Sequence, residues 1–186
     1  MVIWKQLKHS NLLPLVGAKK SPQTLVMISE WMEHGTIMDF VAAYPETSRL
    51  KLVSICSRTS GEHRLTLLLQ LADVARGLEY LHNWPSVHGD LKSVSKTSEH
   101  FIYLHVDNAK NNILIDSSHR ARIADFGLTS LLRHPSISIS VSVPAWGGTL
   151  LWMAPELLEG GSRPSRESDI YSFGMVVYEV AILHPQ

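Results

Sequence analysis

Cysteine occurs once, at Cys56, so no internal disulfide can form, and without a Cys-x-x-Cys pair there is no zinc ribbon or finger. That usage points to a reducing, cytoplasmic compartment. Net charge is lacking too. Lys and Arg total 17 and Asp and Glu total 17, so no global field would hold nucleic acid or an anionic membrane. Charged residues are only 18% of the chain, below the usual share of about 25%. Apolar residues reach 45%, which argues against disorder over the whole length and predicts collapse around a core. The first residues, Met1 to Lys8, alternate charge with apolar side chains and lack the apolar run of a signal peptide. From Pro135 to Pro155 there is no charge at all. Three prolines, two glycines and four serines make that stretch a loop rather than a membrane span.

What is present is a succession of short patterned segments. Leu25-Val26-Met27-Ile28 reads as a buried strand, and a helix follows near Thr36 to Ala43. Leu65, Leu68, Leu69, Ala72, Ala75, Leu78 and Leu81 recur at helical spacing and predict one packed face of a long helix ending by Asn83-Trp84-Pro85. Asn112 to Asp116 and Ala121 to Ala124, separated by polar residues, predict a hairpin. Ser136 to Val143 alternates serine with β-branched residues, the pattern of an edge strand. Ser168 to Leu183 is apolar nearly all round, as in a helix buried inside a large domain. The ten histidines show no metal-ligand spacing and read as scattered surface residues. Phe126 and Trp31 read as core packing.

Four constellations stand in a fixed order: His88-Gly89-Asp90-Leu91-Lys92, Asn111-Asn112, Asp125-Phe126-Gly127 and Ala154-Pro155-Glu156. Each alone is weak. Their order, with a helix before, a hairpin between and an apolar helix after, resembles the protein kinase family, and within it the tyrosine-kinase-like Ser/Thr kinases. The resemblance implies an α+β, protein-kinase-like fold with a partial small lobe and an incomplete, mainly helical large lobe. Residues 1–35 would hold the end of the family's helix αC, its fourth and fifth strands and the hinge, with Ser29 at the gatekeeper position. Residues 36–186 would form the large lobe as far as helix αF. The small-lobe Gly-rich loop, its lysine and the αC glutamate have no counterpart in the sequence.

The same resemblance implies roles. Asp90 is the catalytic-loop base and Lys92 the lysine that neutralises the transferred phosphoryl group. Asn112 and Asp125 are Mg²⁺ ligands, and Glu30 and Met32 present hinge backbone to the adenine of ATP. Asp169 anchors the catalytic loop. The partners implied are ATP and a protein substrate, with Lys92 and Thr149 pointing to Ser or Thr as acceptor; nucleic acid and a membrane span are not expected. Thr129, Ser130 and the serines from 136 to 142 read equally well as a phosphorylated activation segment or as a plain Ser-rich loop. Gly89 stands where many kinases carry an arginine.

Three departures bear on activity: the missing Gly-rich loop, lysine and glutamate, the glycine at Gly89, and the spacing of the catalytic loop. The family's asparagine lies five residues after the catalytic aspartate; here that position is Ser95, and Asn112 comes seventeen residues further on. Residues 93–109 therefore read as an insertion, with codons compatible with an unspliced intron, and residues 51–65 read as a second one because Arg49-Leu50 reappears as Arg64-Leu65. An interrupted catalytic loop should lower the rate sharply. The alternatives are a pseudokinase-like interaction module, or a fragment without function.

Overall fold

The computed structural model describes residues 2–20, 25–44, 61–84, 86–93, 111–126, 150–158 and 162–182. Helix α1, Val2–Gln6, leads to strands β1, Leu15–Lys20, and β2, Leu25–Ser29. The two strands pair antiparallel, with a register shift between Leu15 and Gly17. The apolar run of β2 was expected to be buried, and it is not. Val26 and Ile28 are exposed on one face while Met27 packs on the core from the other. A two-stranded sheet covers only one side of a continuous apolar strand.

Trp31, expected in the core, is 86% exposed. It lies on the link between β2 and helix α2, Ile37–Ala43, where Met32 turns inward in its place. Helix α2 starts where local chemistry allows it. Thr36 caps it by accepting the Asp39 amide proton at 3.0 Å, and the Thr36 amide donates back to the Asp39 carboxylate at 3.0 Å. Gly35, at φ 64°, makes the bend that precedes the cap.

Helix α3, Gly61–Asn83, ends where Trp84 and Pro85 required. Its buried face matches the expected stripe at Leu78 and Leu81 and departs from it in the N-terminal half. Leu65, Leu68 and Leu69 are exposed; the core is met by Leu67, Leu71, Val74, Leu78 and Leu81. The helix carries two apolar faces, so spacing alone could not choose between them, and only the second meets the hairpin. Gly77 shows why the contact is close: a Cβ there would come within 2.8 Å of the Asn11 carbonyl oxygen and of the Ile123 side chain.

The hairpin forms as expected from β3, Ile113–Ile115, and β4, Ala121–Ile123, paired antiparallel. Asp116 closes its turn: one carboxylate oxygen accepts the Ser118 and Arg120 amides, the other the Arg122 guanidinium. Burial pushes the Asp116 carboxyl up, but these three donors outweigh it and hold the group below the usual carboxylate range. Asp73 of α3, fully buried, ties the helix to the turn by accepting from Arg120 and from the Ala121 amide.

A 3₁₀ turn at Leu150–Trp152 and a short helix α4, Pro155–Leu158, precede helix α5, Arg166–Ile182. Helix α5 was read as buried all round; among the described residues it is not. Ser168, Asp169, Ser172, Val176, Glu179 and Val180 are buried, whereas Ile170, Tyr171 and Tyr178 are exposed. The polar members of its buried face are the ones that position the site. The expected strand at 136–143, the Ser-rich segment and most of the two expected insertions lie outside the described residues.

Candidate active site

Residues 86–93 leave the end of α3 without regular structure, so their backbone groups need partners from elsewhere. Asp169, 1% exposed near the start of α5, supplies them. Its two carboxylate oxygens accept the His88 and Gly89 amides, each at 2.8 Å, and one of them also meets His82 Nε2 at 2.8 Å. Gly89 has φ 76°, a conformation that a side chain would strain. The loop is thus bent around a fixed anion, in the place the resemblance assigned to Asp169. His82 carries no sequence signal of this role.

His88 is fully buried, contrary to the expectation of surface histidines. Its Nδ1 accepts the Asp90 amide at 3.2 Å, so the proton sits on Nε2, which donates to the Ala124 carbonyl at 3.0 Å. Burial lowers its pKa; Asp169, the Ala124 carbonyl, Asp90 and Asp125 pull the other way without reversing the shift. A neutral imidazole therefore joins the loop of residues 86–93 to the residue preceding Asp125.

Asp90 and Lys92 meet directly. Lys92 Nζ lies 2.8 and 3.1 Å from the two Asp90 carboxylate oxygens, and the lysine side chain is almost wholly buried while that of Asp90 is 41% exposed. Asn112 joins them from the other side of the interruption. Its side-chain amide donates to the Asp90 carbonyl at 2.5 Å, and its backbone amide donates to the Lys92 carbonyl at 3.2 Å. The Asn112 carbonyl in turn accepts the Ala124 amide at 2.8 Å. Asp125 follows at φ 57°, a left-handed conformation that aspartate tolerates better than most residues. Phe126 is buried against Trp4, with ring centroids 5.3 Å apart, which bears out its reading as core.

One atom of this cluster is unsatisfied. Asn112 Oδ1 is buried and has no hydrogen-bond partner among the described residues, and a buried lone acceptor costs free energy unless a ligand meets it. A hard cation suits an amide oxygen and a carboxylate, so Asn112 and Asp125 form a donor set compatible with Mg²⁺. No cluster of three His, Cys, Asp or Glu side chains among the described residues could hold a metal by itself. Phosphate oxygens and water would have to complete the coordination, as Mg²⁺ ordinarily allows.

Glu30 and Met32 stand on the link from β2 to α2, which is tied to the hairpin by His34 donating to the Ile115 carbonyl and Ile115 to the Gly35 carbonyl. The Glu30 carboxylate is 3.9 Å from an Arg122 guanidinium nitrogen. The Met32 side chain is buried, and its carbonyl accepts the Gly35 amide at 3.1 Å. Asp90, Lys92 and Asn112 are therefore assembled into one hydrogen-bonded cluster with Asp125 joined to it through Ala124, whereas the hinge pair is held by a separate set of bonds. Sequence reasoning missed Ser93 and Glu179. Both are buried, and the Ser93 hydroxyl donates to the Glu179 carboxylate at 2.7 Å. No helix among the described residues is long and apolar enough to cross a membrane.

Comparison with known proteins gives the family. The family described as protein tyrosine and serine/threonine kinase matches residues 1–94, and the family described as protein kinase domain matches residues 98–186. The serine/threonine-protein kinase CTR1 of Arabidopsis thaliana is 33% identical over 98% of the chain, and the serine/threonine/tyrosine-protein kinase HT1 of the same plant 30% identical over 97%. The mitogen-activated protein kinase kinase kinase zak-1 of Caenorhabditis elegans is 26% identical over 96%. The chain spans 18%, 37% and 21% of the lengths of these three relatives. With both halves of the sequence matched by kinase families, the chain belongs to the protein kinase family.

Proposed function

We propose that the chain carries the phosphoryl-transfer centre of a protein kinase and transfers the γ-phosphoryl group of ATP to a Ser or Thr hydroxyl of a protein substrate. The observation that carries this reading is the convergence of Asp90, Lys92 and Asn112, with the Asn112 side-chain oxygen buried and unsatisfied beside them. Asp90, partly exposed, accepts the proton of the attacking hydroxyl and holds that oxygen in line. Lys92, at hydrogen-bond distance from Asp90, balances charge on the transferred group. Asn112 and Asp125 hold Mg²⁺, which when bound neutralises the phosphate oxygens. Glu30 and Met32 offer hinge backbone to the adenine. Ser/Thr preference is supported by Lys92 two residues beyond Asp90 and by the names of the similar proteins. We assign residues 1–35 to the small-lobe side of the site and 36–186 to the large lobe.

The test is nucleotide binding by the full chain with and without Mg²⁺, followed by phosphate transfer to a generic Ser/Thr-rich protein. Mg²⁺-dependent ATP binding that is lost in N112A and D125A supports the reading. D90N should keep binding and lose transfer by roughly 10²–10⁴-fold. A folded chain that binds ATP equally well with and without Mg²⁺, or not at all, overturns it and leaves a binding module built on the kinase fold.

A further inference from the structure

The catalytic cluster has an unusual covalent layout. Lys92 and Asn112 touch through their backbones, yet the chain between them runs through residues 94–110. In an uninterrupted loop of five residues the peptide chain itself would limit how far the asparagine could drift from the lysine. Here Lys92 and Asn112 stand 20 positions apart in the sequence, so the length of the tether alone does not fix their register and through-space contacts contribute to it.

One such contact sits at the point of departure. Ser93 is fully buried, Glu179 is 6% exposed, and the serine hydroxyl donates to the carboxylate at 2.7 Å. A hydrogen bond to an ionised acceptor is roughly twice as strong as a neutral one, and burial makes its loss costly. Glu179 lies on α5, on the same buried face as Asp169. Ten residues of helix separate the two acidic residues, about 15 Å along the axis. One rigid helix therefore grips the catalytic loop twice: Asp169 at His88 and Gly89, Glu179 at Ser93. Between the two grips lie Asp90 and Lys92. The carbonyls of these residues are the acceptors on which Asn112 docks.

We propose that Ser93 and Glu179 are positioning residues whose buried hydrogen bond keeps Lys92 and Asn112 in register across residues 94–110. The bond fixes the Lys92 carbonyl so that the Asn112 side chain presents its free oxygen at the site. The link to metal binding rests on the function proposed above; the link to register does not.

Amide hydrogen exchange on the full chain separates these two layers. The Asn112 amide, which donates to Lys92, reports the register, and the Ile123 amide, which donates to Asn11, is the control. S93A and E179A should speed exchange at Asn112 at least about tenfold while leaving Ile123 near the parent rate, and E179Q, which keeps an acceptor oxygen, should stay near the parent at both. The Mg²⁺ concentration for half-maximal ATP binding should rise about tenfold in S93A, as for other residues that orient a metal ligand, with Mg²⁺-free binding unchanged. Unchanged exchange at Asn112, or an equal rise at Ile123, overturns the proposal. If the parent shows no Mg²⁺-dependent binding, the kinase reading fails while the exchange data still decide the role of Ser93. Should S93A not fold, E179A against E179Q gives the same comparison.

Discussion

At the scale of single residues, Asp169 and His88 carry most of the site's organisation. Three donors converge on the two oxygens of Asp169. Replacing it with alanine leaves the His88 and Gly89 amides without their acceptor in a buried setting, at a cost of about 3 kcal/mol. The expected outcome of D169A is a correspondingly lower urea midpoint with an unchanged slope; a loss below about 1 kcal/mol would show that other groups take over the amides. His88 sets a pH dependence. Its folded pKa lies below the ordinary 6.5, so below that value the unfolded chain takes up a proton that the folded chain refuses. Stability is therefore full above about pH 6.5 and falls as pH drops below it. Urea unfolding at pH 7.5 and 5.5 measures this, and equal midpoints would contradict a buried neutral imidazole. His88 and Asp169 were legible in different degrees. The aspartate could be placed through the resemblance, but the burial of His88 depends on contacts from Ala124 and Asp169 that no local pattern encodes.

Elements show where pattern reading succeeds and where it stops. The hairpin, α2 and α3 were all legible because turn chemistry, capping and periodicity are local. Which face of the N-terminal half of α3 would be buried was not, since Leu65, Leu68 and Leu69 are as apolar as Leu67, Leu71 and Val74. Glycine was the better guide. At Gly77 a methyl group would meet the Asn11 carbonyl oxygen, an unyielding backbone atom, so G77A should lose about 1–3 kcal/mol although alanine favours helix. Gly174 of α5 is exposed and has open space around it, so G174A should gain about 0.5–1 kcal/mol. Thermal melts of the two variants should move in opposite directions. Matching shifts would mean that helix propensity, not the α3–hairpin contact, dominates at Gly77. The exposure of Trp31 and of one face of β2 has the same origin as the misread stripe: an apolar side chain fixes a preference, and the surrounding elements decide whether it is met.

For the molecule as a whole, the kinase fold and the order of its motifs were readable because order survives insertion. The Asp90, Lys92 and Asn112 cluster was readable by resemblance, while the Ser93–Glu179 link was not, because its partners stand 86 positions apart. Deleting residues 94–110 would return Asn112 to five positions after Asp90. The expected result is a folded chain, slightly more stable, with the Asn112 amide as protected as in the parent. Unfolding on deletion would show that the intervening residues support the site. The expected gain follows from chain entropy. Docking the Asn112 side chain on the Asp90 carbonyl closes a ring whose ends are 22 residues apart, against five in the family spacing. Closure entropy grows only logarithmically with length, so the longer ring costs about 1.3 kcal/mol more, comparable to what one buried hydrogen bond returns. The longer ring is thus a small thermodynamic burden. It also turns a nearly local contact into a non-local one, 22 residues apart instead of five, and non-local contacts close more slowly, so the Asn112 contact with Asp90 should form more slowly than it would at the family spacing.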